Sequence, residues 1–300
     1  MNNARMIFVH ALSPLHAGTG QGVGVIDLPI AREKATGLPY LPGSSLKGTL
    51  RASCTDEQCT KIFGKESNDI SDTDNAASAA QFSDQRLLFL PLRSLAGTFA
   101  WVTCPYVLHR FLRDVRDVQN DQNTHATFSV PSLTVNDKGR CYTAIEKSAI
   151  EADQQTVYLE DLDLIAEKND EITQWASWLA RQVFPTEATW QTMFTERVCV
   201  VHDDVFNFLI NTATEITARI KLKEGSKTVQ DGGLWYEETL PSETILSGII
   251  LANPQNASRI TAKETFNVLS GLVNKTVQLG GKATVGRGMC RVQMTGEERQ

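Results

Sequence analysis

Three hundred residues, 41% hydrophobic and 21% charged with a formal net charge of −6, describe a soluble globular chain, long enough for two domains or for one domain with insertions. The N-terminal apolar run is broken by His10, Pro14 and His16 with no small-residue cleavage site after it, and the longest apolar stretch, near 245–252, is too short for a bilayer. These features exclude a secretion signal and a membrane span and predict a cytoplasmic protein. The charge is uneven: eight acids against Lys168 give 151–171 a net −7, while Arg32, Lys34, Lys47 and Arg51 against Glu33 give 32–51 a net +3, so a basic face can coexist with an acidic edge.

In chain order, Met6–Leu12 reads as a buried strand and Val23–Ile30 as a second, with a tight turn at 36–39. Ser44 or Ser45 is placed to cap a helix running to about Cys54, with Leu46 and Leu50 on its inner face. The polar, small-residue stretch 65–85 reads as a mobile loop. Leu87–Leu95 and Thr98–Val102 flank Ala96-Gly97 as a hairpin. Pro105 opens a helix with Leu108, Phe111, Leu112 and Val115 on one face, and 117–150 has no clear period. Thr156–Ile165 alternates as a strand, and Asp170–Val183 is an amphipathic helix. Arg197–Val201 is a strand, and His202-Asp203-Asp204 caps a helix that buries Val205, Phe208 and Leu209. A long hairpin runs from Ile216 to Glu238, then a strand at Ile245–Leu251, a helix at Ala262–Lys275 and a last strand at Thr284–Met294. The mixture predicts an α+β core with insertions. The six cysteines are expected to be reduced and mostly packed, and Cys54 and Cys59 lack the second pair that a structural zinc site needs.

Four features carry chemistry, each with an ordinary structural alternative. Asp27 interrupts an apolar strand; buried without a partner it would be costly, so it should face solvent, a metal, or a neutralising Arg32 or Arg51. His16, followed by Gly18, Gly20, Gly22 and Gly24, reaches the same region, or is a surface or capping histidine. Ser44-Ser45-Leu46-Lys47-Gly48, with Arg51 a turn on, places amides, hydroxyls and cations at a helix start suited to anions; the alternative is a serine cap with a solvated lysine. The run 279–288 (LGGKATVGRG) combines Gly280, Gly281 and Gly286 with Lys282 and Arg287. It is neither a dinucleotide fingerprint nor a P-loop, because a helix precedes it and a strand follows it, so it is a phosphate-binding loop or a tightly packed turn.

The segments SPLHAGTG, GVIDLPIAREKATGLPYLPGSSLKGTLR, VVHDDVFNFLINTATEITARI, LWYEETLP and LGGKATVGRG, in that order, resemble the RAMP superfamily of CRISPR effector proteins. Within that superfamily they are similar to the repeated backbone subunit of the type III-B (Cmr) complex; the matching segments cover about half the chain. The resemblance implies a modified ferredoxin-like (RRM-like) palm built from 1–64, 86–116 and 196–294. Insertions would fall at about 65–85 and 117–195, and a β-hairpin thumb at about 216–241. It implies a helical filament of copies on a CRISPR guide RNA, with other Cmr subunits as partners and no membrane, cutting target RNA where thumbs displace bases. It places catalytic roles on Asp27, His16, Lys47 and Glu237, with Glu238 the alternative register. Thr239 stands where family members often have a tyrosine. RNA binding would fall on Ser44, Ser45, Lys47, Arg51, Gly280, Gly281, Lys282, Gly286 and Arg287.

The chemistry fits these residue types. RNA carries its own nucleophile, the 2′-hydroxyl, so an enzyme must align it, stabilise negative charge and manage two protons. Asp27 would hold Mg²⁺ or Mn²⁺ as a weak site completed by phosphates. The alternatives are a non-catalytic RNA-binding scaffold, the equivalent subunit of a type III-A complex, or an unrelated small-molecule enzyme using the glycine loop.

Overall fold

A computed structural model describes residues 3–19, 26–55, 59–64, 78–122, 133–145, 148–253, 260–273 and 275–295. The chain runs β1 (Ala4–Ala11), β2 (Tyr40–Leu41), α1 (Gly43–Ala52), α2 (Cys59–Phe63), β3 (Ala80–Phe82), β4 (Gln85–Arg93), β5 (Phe99–Thr103) and α3 (Pro105–Gln122). It continues with β6 (Arg140–Thr143), β7 (Glu151–Ala152), β8 (Thr156–Leu159), β9 (Leu162–Lys168), α4 (Asp170–Val183), α5 (Ala188–Arg197), β10 (Val198–Val201) and α6 (Asp203–Thr212). The last elements are β11 (Glu215–Leu222), β12 (Val229–Thr239), β13 (Ile245–Ala252), α7 (Ala262–Leu272), β14 (Thr276–Gln278) and β15 (Met289–Met294).

The centre of the main sheet has the order β15-β1-β13-β4, antiparallel throughout. Helix α1 lies between β1 and β4 in the chain and α7 between β13 and β15, which is the βαββαβ ferredoxin-like arrangement. β1 occupies the middle, and its run of apolar residues without alternation is what a strand covered on both faces requires. Phe8 of β1 meets Phe111 of α3 with ring centroids 5.9 Å apart. Beyond β4 the same sheet continues through β5, β10, β6, β9, β8 and β7. There Trp101 packs between Phe194 (5.2 Å) and Phe99 (4.7 Å), and its indole N–H donates to the Glu243 carbonyl at 2.8 Å. The hairpin β11–β12 stands apart as a two-stranded sheet.

Local chemistry sets the helix boundaries. The Asn169 side chain accepts from the Glu171 and Ile172 amides at α4, and Thr261 with Glu264 forms a reciprocal capping box at α7. At α1 the expected serine cap is absent. Pro42 precedes the helix, and the Gly43 N–H donates to Asp84 Oδ1 at 2.8 Å, so a carboxylate distant in sequence does the work.

Other expectations change as well. Residues 20–25 lie outside the described part, and 26–30 form no strand: they make single bridges at Leu28 and Ile30, because their partners are the hairpin base and Gly18 rather than a sheet edge. Of the predicted loop 65–85, residues 65–77 are outside the described part, while 80–82 form β3 on β13 and β4 starts at Gln85. The single strand predicted over Thr156–Ile165 is the hairpin β8–β9, reversing at Glu160 with φ 50°. α3 extends to Gln122, and β6–β9, which fall within the expected insertion at about 117–195, continue the main sheet through β10. The last strand begins at Met289, five residues later than expected, after an exposed 3₁₀ turn at Ala283–Val285. On α6 the buried residues are Phe206, Leu209 and Ile210, and Phe208 is exposed. Cys54 and Cys59, expected to be thiols, form a disulfide where the end of α1 meets α2, their Cα atoms 6.0 Å apart; the other four cysteines are buried thiols. No helix of the described residues is long and apolar enough to cross a membrane.

Replacing Asp84 removes the side-chain acceptor of the first α1 amide. Asp84→Ala is expected to cost about 1 kcal/mol, read as a drop of roughly 2–4 °C in Tm in a thermal melt.

Candidate active site

The site is assembled on the last residues of β12, at the base of the free-standing hairpin. Neighbouring residues of a strand point to opposite faces, so Glu237 and Glu238 cannot share an environment. Both are 3% exposed. Glu238 turns to the body of the protein, where its carboxylate accepts from Arg32 Nη2 (2.6 Å), the Thr214 hydroxyl (2.9 Å) and the Ile30 amide (3.1 Å). Glu237 turns to the glycine-rich loop. It pairs with Lys282 Nζ at 2.9 Å and Arg219 Nε at 3.3 Å, and accepts from the Trp235 indole N–H at 2.8 Å. Burial would push the Glu237 carboxyl up, but the hydrogen bonds from Trp235 and Lys282 and the nearby cations bring it below the ordinary glutamate value.

The ribbon carrying Asp27 lies along the outer edge of β12. Leu28 N–H donates to the Tyr236 carbonyl at 3.1 Å, and Glu238 N–H donates to the Leu28 carbonyl at 3.0 Å. This register brings the Asp27 carboxylate to the Tyr236 N–H, which donates to Oδ2 at 2.7 Å. Asp27 is exposed, and no cation pairs with it among the described residues. Arg32, one of its two candidate neutralising partners, is instead committed to Glu238 and to the carbonyls of Gly37 and Ile210.

His16 hangs from the same strand. Its Nδ1 lies 2.8 Å from the Glu238 carbonyl, and Leu15 exchanges main-chain hydrogen bonds with Leu240. A carbonyl only accepts, so Nδ1 carries the proton of that hydrogen bond and Nε2 is the nitrogen left for another partner. Nε2 has no hydrogen-bond partner among the described residues. A Cβ on residue 18 would sit 2.6 Å from Nε2, so glycine there keeps that nitrogen open. The main-chain atoms anchoring Asp27 and His16 are two residues apart on β12, a separation of about 7 Å along a strand.

The glycine-rich loop closes over His16. The Gly281 N–H donates to the His16 carbonyl at 2.9 Å. Gly280 has φ +70°, and a Cβ there would lie 2.4 Å from the same oxygen, so a close approach of two backbones makes glycine necessary. Gly281 and Gly286 are exposed. The loop's cations are engaged: Lys282 with Glu237, and Arg287 Nη1 with Glu215 Oε2 at 3.5 Å. Helix α1 touches this region through the Thr49 hydroxyl, which donates to the Gln278 carbonyl at 3.3 Å. On α1, Lys47 and Arg51 are half-buried one turn apart, and burial together with Arg51 lowers the Lys47 ammonium from its ordinary value. Lys47 has no carboxylate partner among the described residues. Ser44 is exposed and Ser45 half-buried, neither hydroxyl capping the helix. Asp84 already occupies the Gly43 amide, so an anion arriving at this helix end meets a carboxylate.

Asp27, His16, Glu237 and Lys282 therefore come together at one hairpin base, while Lys47 and Arg51 occupy a neighbouring helix. Sequence reasoning missed the buried set Glu238, Arg32 and Thr214 and the role of Asp84; no local motif marks contacts made across the fold. Among the described residues no three His, Cys, Asp or Glu side chains converge as a metal cage. The exposed Asp27 oxygen not taken by Tyr236 fits a magnesium-type ion, which accepts one carboxylate when phosphates complete its shell.

The sequence pattern of the RAMP superfamily matches residues 8–291. This chain belongs to the RAMP superfamily. It is 35% identical over 302 residues to the CRISPR system Cmr endoribonuclease Cmr4 of Pyrococcus furiosus, covering 97% of this chain and 95% of the relative. It is 26% identical over 309 residues to the CMR subunit Cmr4 of Saccharolobus solfataricus, covering 95% and 94%. The crystal structure of oligomeric Cmr4 from Pyrococcus furiosus superposes with a TM-score of 0.74 at 28% identity, over 98% of this RAMP chain and 99% of that one. A chain of the type III-B Cmr-beta complex in its apo state shares the fold with a TM-score of 0.74 at 23% identity, over 99% and 98%.

The lowered carboxyl of Glu237 sets a sign for pH dependence. A group that ionises more readily in the folded chain stabilises it fully above the ordinary glutamate pKa. That stabilisation is lost as pH falls through the folded value. Thermal melts followed from about pH 5, just above the ordinary glutamate value, down to about pH 2.5 should therefore fall more steeply for the unaltered chain than for Glu237→Gln.

Proposed function

We propose that this chain is the repeated guide-RNA-binding backbone subunit of a type III-B CRISPR effector in the cytoplasm. Within that assembly, on our reading, it cuts target RNA complementary to the guide. The observation that carries the nuclease reading is Asp27, an exposed carboxylate unpaired with any cation among the described residues, held by the Tyr236 amide beside His16. The relative from Pyrococcus furiosus is named an endoribonuclease, which supports an activity in the same fold.

The reaction is attack of a ribose 2′-hydroxyl on the adjacent phosphorus. An O2′–P bond forms, the P–O5′ bond breaks, and the products are a 2′,3′-cyclic phosphate and a free 5′-hydroxyl. One proton leaves the 2′-oxygen and one reaches the departing 5′-oxygen. His16 Nε2, its tautomer set by the Glu238 carbonyl, is the group suited to hold one of them. Lys282 and Lys47 supply positive charge for the phosphates, Lys282 by exchanging Glu237 for RNA. Glu237, in this account, positions Lys282 and Arg219 and does not itself transfer a proton. Arg51, Gly280, Gly281, Gly286 and Arg287 form the surrounding backbone-binding surface, with Ser44 and Ser45 at its margin through their hydroxyls alone, since Asp84 occupies the amide at that helix end. Asp27 would hold Mg²⁺ or Mn²⁺, which supplies charge stabilisation at the reacting phosphate when bound. Copies of the chain in a helical filament, with other Cmr subunits, complete the assembly.

A scaffold role without catalysis predicts a different pattern, and a set of substitutions separates the two. In the assembled complex, Asp27→Ala should slow target cutting at least about 100-fold with guide binding intact; normal cutting would leave only the scaffold. Gly18→Ala, which crowds Nε2, should slow cutting by roughly tenfold or more with an unchanged Tm. Lys47→Ala should weaken RNA binding and reduce the steepness of its salt dependence.

A further inference from the structure

The hairpin β11–β12 has two unlike faces. One carries Trp235, Glu237 and Arg219, tied together and to Lys282. The other pairs Ile216 with Glu238, Ala218 with Tyr236, Ile220 with Leu234, and Leu222 with Val229. On this second face Ile216, Ile220 and Leu234 are 53–54% exposed, and Tyr236 is 38% exposed. Ala218 opposite Tyr236 leaves one side of the ring without a bulky cross-strand neighbour. Tyr236 is also the residue whose main-chain N–H holds the Asp27 carboxylate at 2.7 Å. Trp235, by contrast, is half-buried with its indole N–H committed to Glu237.

We propose that the Tyr236 ring is the stacking platform for the nucleobase beside the phosphate addressed by Asp27, with Ala218 the gap that admits the base. The proposal rests on the RNA-cutting reading above. A nucleotide drawn out of a helix loses its stacking partners, and an aromatic face replaces them without regard to base identity. Because ring and carboxylate anchor belong to one residue, a base seated on Tyr236 brings its own ribose and phosphate to Asp27 in a set register. The aliphatic neighbours Leu234 and Ile220 extend the dry surface but offer no π-face.

The test uses the assembled complex, single-turnover cutting, and two target RNAs, one intact and one with an abasic nucleotide next to the cut. Tyr236→Leu and Tyr236→Phe both keep the main-chain N–H that holds Asp27. Tyr236→Leu should cut the intact target roughly tenfold more slowly, the size expected for one lost base–aromatic stack, and Tyr236→Phe should restore the rate. The unaltered complex should cut the abasic target with a similar loss, and Tyr236→Leu should add nothing further on that target. Normal cutting of the intact target by Tyr236→Leu, or losses that multiply on the abasic target, would overturn the proposal. Asp27→Ala keeps the two readings apart. If it is inactive while Tyr236→Leu cuts normally, only the stacking role falls; if both cut normally, the nuclease reading falls with it.

Discussion

Two consecutive buried carboxylates, Glu237 and Glu238, organise the functional end of this molecule. An ionised glutamate removed from water costs several kcal/mol unless it is paired and hydrogen-bonded. The strand pleat sends these two to opposite faces, so each must recruit its own partners. Glu238 draws in Arg32, Thr214 and the Ile30 amide, which fixes the ribbon on which Asp27 rides. Glu237 draws in Lys282, Arg219 and Trp235, which fixes the glycine-rich loop and the hairpin stem. Three segments far apart in the chain converge because two adjacent charges have to be satisfied.

That arrangement leaves different groups free and bound. Asp27 is exposed on its amide anchor, and His16 keeps one ring nitrogen available because Gly18 has no side chain. The loop cations Lys282 and Arg287, by contrast, rest on Glu237 and Glu215. Binding of a phosphate chain to this loop is then an exchange of partners rather than the filling of an empty cationic site. The net gain per cation is smaller than for a free lysine, and the contact discriminates in favour of a ligand that engages several groups at once.

Much of the fold was legible because it rests on local periodicity. β1, α3, α4 and β13 bury continuous apolar runs or helical stripes, and the long hairpin shows its strand alternation and turn although it stands exposed. The elements read less well were those whose hydrogen bonds go to distant partners. Residues 26–30 look like a strand by composition yet make only isolated bridges, and 156–165 hides a reversal at Glu160 that no glycine announces. The cap of α1 falls to Asp84, forty-one positions from Gly43. At the site, Asp27, His16, Lys47 and the glycine-rich loop stand out in the chain, whereas the Glu238–Arg32 pair has no motif to mark it.

The sequence by itself determined which chemistry is present: one isolated acid, one histidine followed by glycines, and cations beside small residues. It also determined most helices and strands, since hydrophobic periodicity is a local property, as is capping at α4 and α7 though not at α1. Only the tertiary structure decided that Arg32 belongs to Glu238 and not to Asp27, that His16 turns Nδ1 to a carbonyl and leaves Nε2 open, and that Tyr236 joins an exposed ring to the carboxylate anchor. The reason is physical. A carboxylate's state depends on which donors and cations reach it, and at this site those come from Thr214 and β11, β12, the Arg32 ribbon and the loop before β15, which meet only when the chain has folded.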